Sequence, residues 1–161
     1  MNALLTIALG LSSVICLYPR GQASGQAFVD VAPAVGMRVT PVLDAIVKSR
    51  KAPPTASPIV EWFKVEKPVT RVIEDKSRAA DEALVVLLQF YIGESTSEDL
   101  NHEITKRGRR MLPYLRKYRR GLVHIPGRRY PDSIRLDPET WKENIDADID
   151  SIRKGEVRFE D

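Results

Sequence analysis

The chain has 161 residues, enough for one domain, with 43% hydrophobic and 29% charged residues. This balance excludes disordered, collagen-like and multi-span membrane chains and favours a globular fold. The formal net charge of +3 is too small to identify a partner.

Residues 1–25 are predicted to be a signal peptide or an N-terminal anchor. Residues 3–18 carry no charge and are mostly apolar, the length of a secretory signal core, and small residues that signal peptidase accepts follow at 21–27. We therefore expect an exported domain, periplasmic or extracellular, that starts near Gln26 or stays tethered by this segment. Three alternatives remain: a reversed anchor that leaves the domain cytoplasmic, a lipid anchor on Cys16, and a buried N-terminal helix.

Cys16 is the only cysteine and would be removed with a cleaved leader. The mature domain would then have no disulfide and no thiolate metal site, so its stability must come from apolar burial. No cofactor fingerprint is present, and we expect no cofactor and no metal site.

Residues 26–78 are interrupted by prolines and predict short helices in a partly irregular half. Thr40-Pro41 and Ser57-Pro58 each resemble a helix start, with a capping residue before a first-turn proline. The aromatic side chains of Trp62 and Phe63 are expected to anchor the second helix.

Residues 79–161 predict the helical core domain. Residues 79–92 have the helical period and are apolar on nearly every side, so this helix should be central and end at Gly93. A capping box at Ser95 and Glu98 predicts a helix over 96–107, and Gly108 separates it from another over 109–119. The last helix is predicted over 138–154, between Asp137 and Gly155. The expected fold class is all-α, a small orthogonal bundle or set of helical hairpins, with a loose tail after residue 155.

Three aspartates at 146, 148 and 150 resemble the start of a calcium loop. Ser151 and Val157 stand where that loop needs its glycine and its bidentate glutamate. The helical register instead predicts that the aspartates are exposed.

The strongest signal for function is a basic region, residues 106–129. No acid occurs between Glu103 and Asp132, yet that interval holds ten Lys and Arg residues. Arginines beside aromatic rings suit phosphates and stacked bases. The candidate binding residues are Arg109, Arg110, Arg116, Lys117, Arg119, Arg120, Arg128, Arg129, Tyr118 and His124. The alternative is that the last helix covers them, since residues 132–161 hold ten acids and five bases.

These observations predict a non-enzymatic interaction or accessory protein that binds a protein partner or an anionic polymer or lipid surface. A nucleic-acid-binding protein is the alternative if the domain is cytoplasmic. A hydrolase using His124 is the second alternative, and it would need a partner for the imidazole and a cleft.

Overall fold

The computed structural model describes residues 27–51 and 58–159, without the side chains of residues 51 and 58–62. The predicted leader and Cys16 lie outside these residues. The described chain forms two short strands and six α-helices. These are β1 Phe28–Asp30, α1 Pro33–Lys51, α2 Pro58–Glu74, α3 Arg78–Leu87, α4 Glu94–Arg107, α5 Leu112–Tyr118, β2 Leu122–His124 and α6 Pro138–Lys154, with 3-10 turns at Gly108–Met111 and Asp132–Ile134.

One hydrophobic core joins all six helices, which confirms the mostly all-α bundle. Helix α3 is central, as predicted, because seven of its ten residues are buried. The largest fully buried side chains include Trp141, Tyr118, Phe90 and Leu43. These residues come from separate parts of the chain, so segments that are distant in sequence form one common core.

The proline-interrupted half forms two long helices of 19 and 17 residues, instead of the short helices expected. Thr40-Pro41 is not a helix start, because Pro41 lies inside α1. Its ring removes one helical hydrogen bond, but buried residues recur at helical spacing on both sides of it: Val35, Val39, Val42, Leu43 and Ile46. Helix α2 begins at Pro58 as predicted. Phe63 is 57% exposed and does not anchor this helix.

Helix α3 ends at Leu87, five residues before residue 92, the last residue of the predicted helix. It ends early because Gln89 forms hydrogen bonds with other parts of the chain. The Gln89 amide donates to the carbonyls of Tyr118 and Gly121 and accepts from the Val123 N–H. The Gln89 carbonyl also accepts from the Leu136 N–H. These bonds hold residues 88–92 in a non-helical path against residues 134–136.

Most predicted ends of the later helices are confirmed. Helix α4 ends before Gly108, whose φ is 68°, and α6 ends before Gly155 in the left-handed region. Asp137 accepts hydrogen bonds from two first-turn N–H groups of α6. The predicted capping box is wrong, because α4 begins at Glu94 and its Gly93 cap makes no side-chain hydrogen bond.

Strands β1 and β2 pair in parallel, and the sequence predicted neither of them. Phe28, Val29 and Asp30 lie opposite Leu122, Val123 and His124. Val123 is buried, whereas Phe28, Asp30 and His124 are exposed. The sheet therefore packs one side on the helices and leaves the other outside.

Arg107 joins three helices through a buried ionic cluster. Its side chain is 4% exposed and donates to Glu103 at 2.7 Å, to Asp81 at 2.6 Å, and to the Ile73 and Asp75 carbonyls at the end of α2. Burial opposes the ionisation of Glu103, but hydrogen bonds from Lys76 and Arg107 outweigh it and keep the pKa of this carboxyl below its usual value.

Replacing Arg107 with Met should lower the free energy of unfolding by about 3 kcal/mol, because Asp81 and Glu103 each lose their buried cation and keep only the more exposed Arg110 and Lys76. Chemical denaturation measures this loss. The matched control is Arg109→Met, an exposed residue with no ion pair among the described residues, which should change stability by less than about 0.5 kcal/mol. Equal losses for both variants would contradict the assignment.

The C-terminal tail is packed rather than loose through residue 158. The Arg158 N–H donates to Thr105 Oγ1 at 3.0 Å, and its guanidinium donates to Asp148 at 2.6 Å. Asp148 is fully buried, so its predicted exposure is wrong. Burial raises the pKa of Asp148 to about 7, although Arg158 acts in the opposite direction.

This raised pKa makes the contribution of Arg158 depend on pH. Between pH of about 4 and 7 the folded chain retains a proton on Asp148 that the unfolded chain has released, so rising pH removes stability over this window. Replacing Arg158 with Ala should therefore cost about 3 kcal/mol at pH 8.5 and clearly less at pH 5.5, where Asp148 is neutral. Denaturation at the two pH values measures this difference. A loss that is equal at the two pH values would contradict a pKa of about 7 for Asp148.

Candidate functional site

The basic region runs from the end of α4 through α5 and β2 into the following loop. Met111, Leu115 and Tyr118 are buried and fix α5 on the core. This anchoring leaves the long cationic side chains between them on the outside.

Four of the ten cations are neutralised within the fold. Arg107 and Arg110 both contact Asp81, Lys117 contacts Glu82 at 2.6 Å, and Arg119 contacts Asp146 at 2.6 Å. The hydrogen bond to Arg119 holds the pKa of Asp146 below its usual value. Three of the predicted binding residues, Arg110, Lys117 and Arg119, are thus occupied by acids of this chain.

The other six cations are exposed and make no ion pair among the described residues. We call them the unpaired cations: Lys106, Arg109, Arg116, Arg120, Arg128 and Arg129. Helix α6 reaches the basic region through one ion pair, between Asp146 and Arg119. Helix α6 therefore neutralises one arginine of the basic region. The other paired cations are neutralised by Asp81 and Glu82 of α3.

The tyrosines of this region do not form an exposed stacking surface. Tyr118 is fully buried and donates to Glu82, and burial together with that carboxylate raises its pKa. Tyr114 and Tyr130 are half-buried, and the Tyr130 hydroxyl donates to Asp44 at 3.1 Å. Tyr118 is thus unavailable to a partner on the surface.

His124 has a carboxylate partner on the outer side of the sheet. Its Nδ1 lies 2.8 Å from Asp30 Oδ1, and its ring meets Phe28 edge-on with centroids 6.1 Å apart. Such a carboxylate can orient an imidazole for proton transfer. Among the described residues, no hydroxyl or thiol side chain is hydrogen-bonded to His124.

An open cleft of about 460 Å³ separates the start of α1 from the loop after β2. Its rim includes Met37 and Pro41 on α1 and Pro126 and Arg128 on the loop. Sequence reasoning missed Met37, which is 76% exposed. The signal was the buried valine stripe of α1, which places position 37 on the opposite side of the helix.

The aspartates of α6 diverge instead of forming one site. Asp146 contacts Arg119, Asp148 contacts Arg158, and the Asp150 carboxylate lies 3.7 Å from Arg153. Within residues 27–51 and 58–159, no three His, Cys, Asp or Glu side chains are grouped in a way that could hold a metal ion.

Gly121 positions the beginning of the described chain. The Leu122 N–H donates to the Ala27 carbonyl at 2.9 Å, and a Cβ on Gly121 would lie 2.1 Å from that oxygen. Only glycine fits this approach, which places Ala27 against Gly121, the residue after Arg120.

No family model, curated protein or solved structure matches this chain. None of the helices in the described part of the chain has the length and apolarity needed to cross a bilayer.

Replacing Gly121 with Ala should separate β1 from β2 and cost about 1 to 3 kcal/mol of unfolding free energy. Amide hydrogen exchange at Leu122 should become faster, because its acceptor is displaced. Gly36→Ala is the matched control. Gly36 lies within α1, and a Cβ there would meet the Ile125 side chain at 3.6 Å, an ordinary van der Waals distance. Protection at Leu122 that survives in the Gly121 variant would refute this role.

Proposed function

We propose that this protein is an exported accessory protein that binds an anionic surface through its unpaired cations. The observation that supports this function is the uneven neutralisation of the basic region. Six exposed cations have no acid within ion-pair distance among the described residues, whereas the neighbouring Arg107, Arg110, Lys117 and Arg119 do.

The physical basis is the difference between a paired and an unpaired cation. A cation already paired with a carboxylate has much of its positive charge neutralised, so it attracts a new anion more weakly. An exposed arginine without such a carboxylate instead releases counterions when it meets a dense array of negative charges. Binding by these cations should therefore weaken steeply with salt.

Nucleic acid and hydrolysis are less well supported. Base stacking on an extended strand needs several exposed aromatic rings, and the tyrosines do not supply them, since Tyr118 is buried and Tyr114 and Tyr130 are half-buried. Phe28, 67% exposed beside His124, offers one such ring. For hydrolysis, Asp30 supplies a partner for His124, but the described residues provide no hydroxyl or thiol hydrogen-bonded to the imidazole. An anionic surface needs charge alone, which the basic region has.

The test is retention of the full-length protein on immobilised heparin, a sulfated polysaccharide, across a salt series. A variant with five arginines changed to Gln, at 109, 116, 120, 128 and 129, should bind at least about tenfold more weakly. Its salt dependence should also be shallower, with a log–log slope that falls by about one for each arginine that binds a sulfate in the wild-type chain.

The matched control removes the same charge elsewhere. Five exposed cations outside the basic region are changed to Gln: Lys64, Lys67, Arg71, Arg78 and Lys154. If both variants weaken binding equally, net charge alone explains retention and the proposed interface is wrong. Circular dichroism of each variant checks that the fold is intact.

A further inference from the structure

Ala27, the first described residue, lies against the basic region. Its carbonyl accepts a hydrogen bond from the Leu122 N–H, and it packs over Gly121, the residue after Arg120. The uncharged residues 3–18 end nine positions before Ala27, and nine extended residues span about 30 Å at most. Any membrane that this apolar segment enters is therefore within reach of the surface around Ala27.

Large apolar side chains are exposed on this same surface. Phe28 is 67% exposed and Met37 is 76% exposed, the two highest values among the large hydrophobic residues described. Phe28 lies against His124, and Met37 borders the cleft whose other wall holds Pro126 and Arg128. The loop 125–128 thus connects the two apolar side chains.

The charges beside Met37 are mostly positive. Arg128 lines one cleft with Met37, and Arg38 and Arg71 line a second cleft with it, together with one acid, Asp75, which pairs with Arg38. Beside Phe28, Arg120 precedes Gly121 in the chain, and Asp30 contacts His124. Arginines beside protruding apolar groups match a bilayer surface, where phosphates lie just outside the acyl chains.

We propose that this surface, formed by Phe28, Met37, Pro126, Arg120 and Arg128, rests on an anionic phospholipid bilayer. We call it the lipid-facing surface. The arginines meet the lipid phosphates, and Phe28 and Met37 enter the boundary between the headgroups and the acyl chains. This inference rests on the proposed function, since it assigns the anionic partner to phospholipid.

The experiment places an environment-sensitive nitrobenzoxadiazole label at position 37. The full-length chain carries Cys16→Ser and Met37→Cys and is mixed with phosphatidylcholine vesicles containing none or about 30% phosphatidylglycerol. With the anionic vesicles, the emission should move to shorter wavelength and become several-fold stronger. The neutral vesicles show whether insertion of the uncharged residues 3–18 by itself brings position 37 to the bilayer.

The matched control carries the label at Phe63, which is also exposed but lines a different cleft, with Tyr91 and Gly93. Its emission should not change. An equal response at both positions, an equal response to neutral vesicles, or no response at position 37 would each overturn the lipid-facing surface.

A second variant separates this inference from the proposed function. Phe28→Ser with Met37→Ser keeps every charge, so heparin retention should be unchanged. With a label at Pro126→Cys in this variant, the response to anionic vesicles should fall about tenfold. If heparin retains the wild-type chain but the Met37 label never responds, phospholipid is the wrong partner and anion binding stands. If heparin retention also fails, both proposals fall.

Discussion

The buried guanidinium of Arg107 is the contact on which the arrangement of the basic region depends. It donates hydrogen bonds to the carboxylates of Asp81 on α3 and Glu103 on α4. It also donates to two backbone carbonyl oxygens at the end of α2. A charge this deeply buried is tolerated only when its donors are satisfied, so the ends of α2, α3 and α4 must meet at one point. That meeting point lies directly before Gly108, where the 3-10 turn that leads into α5 begins.

The same arrangement decides which cations are neutralised. Asp81 and Glu82 lie on the central helix α3, and they are reached by Arg110 and Lys117 from the segment that packs across it. The other cations of the basic region meet no acid among the described residues, except Arg107 and Arg119, which pair with Asp81 and Asp146. Ion pairing therefore divides one run of ten cations in the sequence into four that are paired and six that are unpaired among the described residues.

Local chemistry predicted the helix ends well where a single residue controls them. Asp137 and Gly155 act as expected, since a cap depends on neighbours within one turn. The errors arose where distant contacts outweighed local preference. Pro41 continues a helix because the buried stripe around it packs on the core, and α3 ends early because Gln89 bonds residues about thirty positions away.

The candidate surface was only half predictable for the same reason. Its cations stand together in the sequence, whereas Phe28 reaches them through a parallel pairing with Leu122, 94 positions along the chain. Two three-residue strands carry too little periodicity to be recognised, and their approach depends on the missing side chain of Gly121. Charge pattern alone thus favours a general anion binder. The apolar side chains that the pairing brings beside the arginines are what distinguish a bilayer surface from a soluble polyanion.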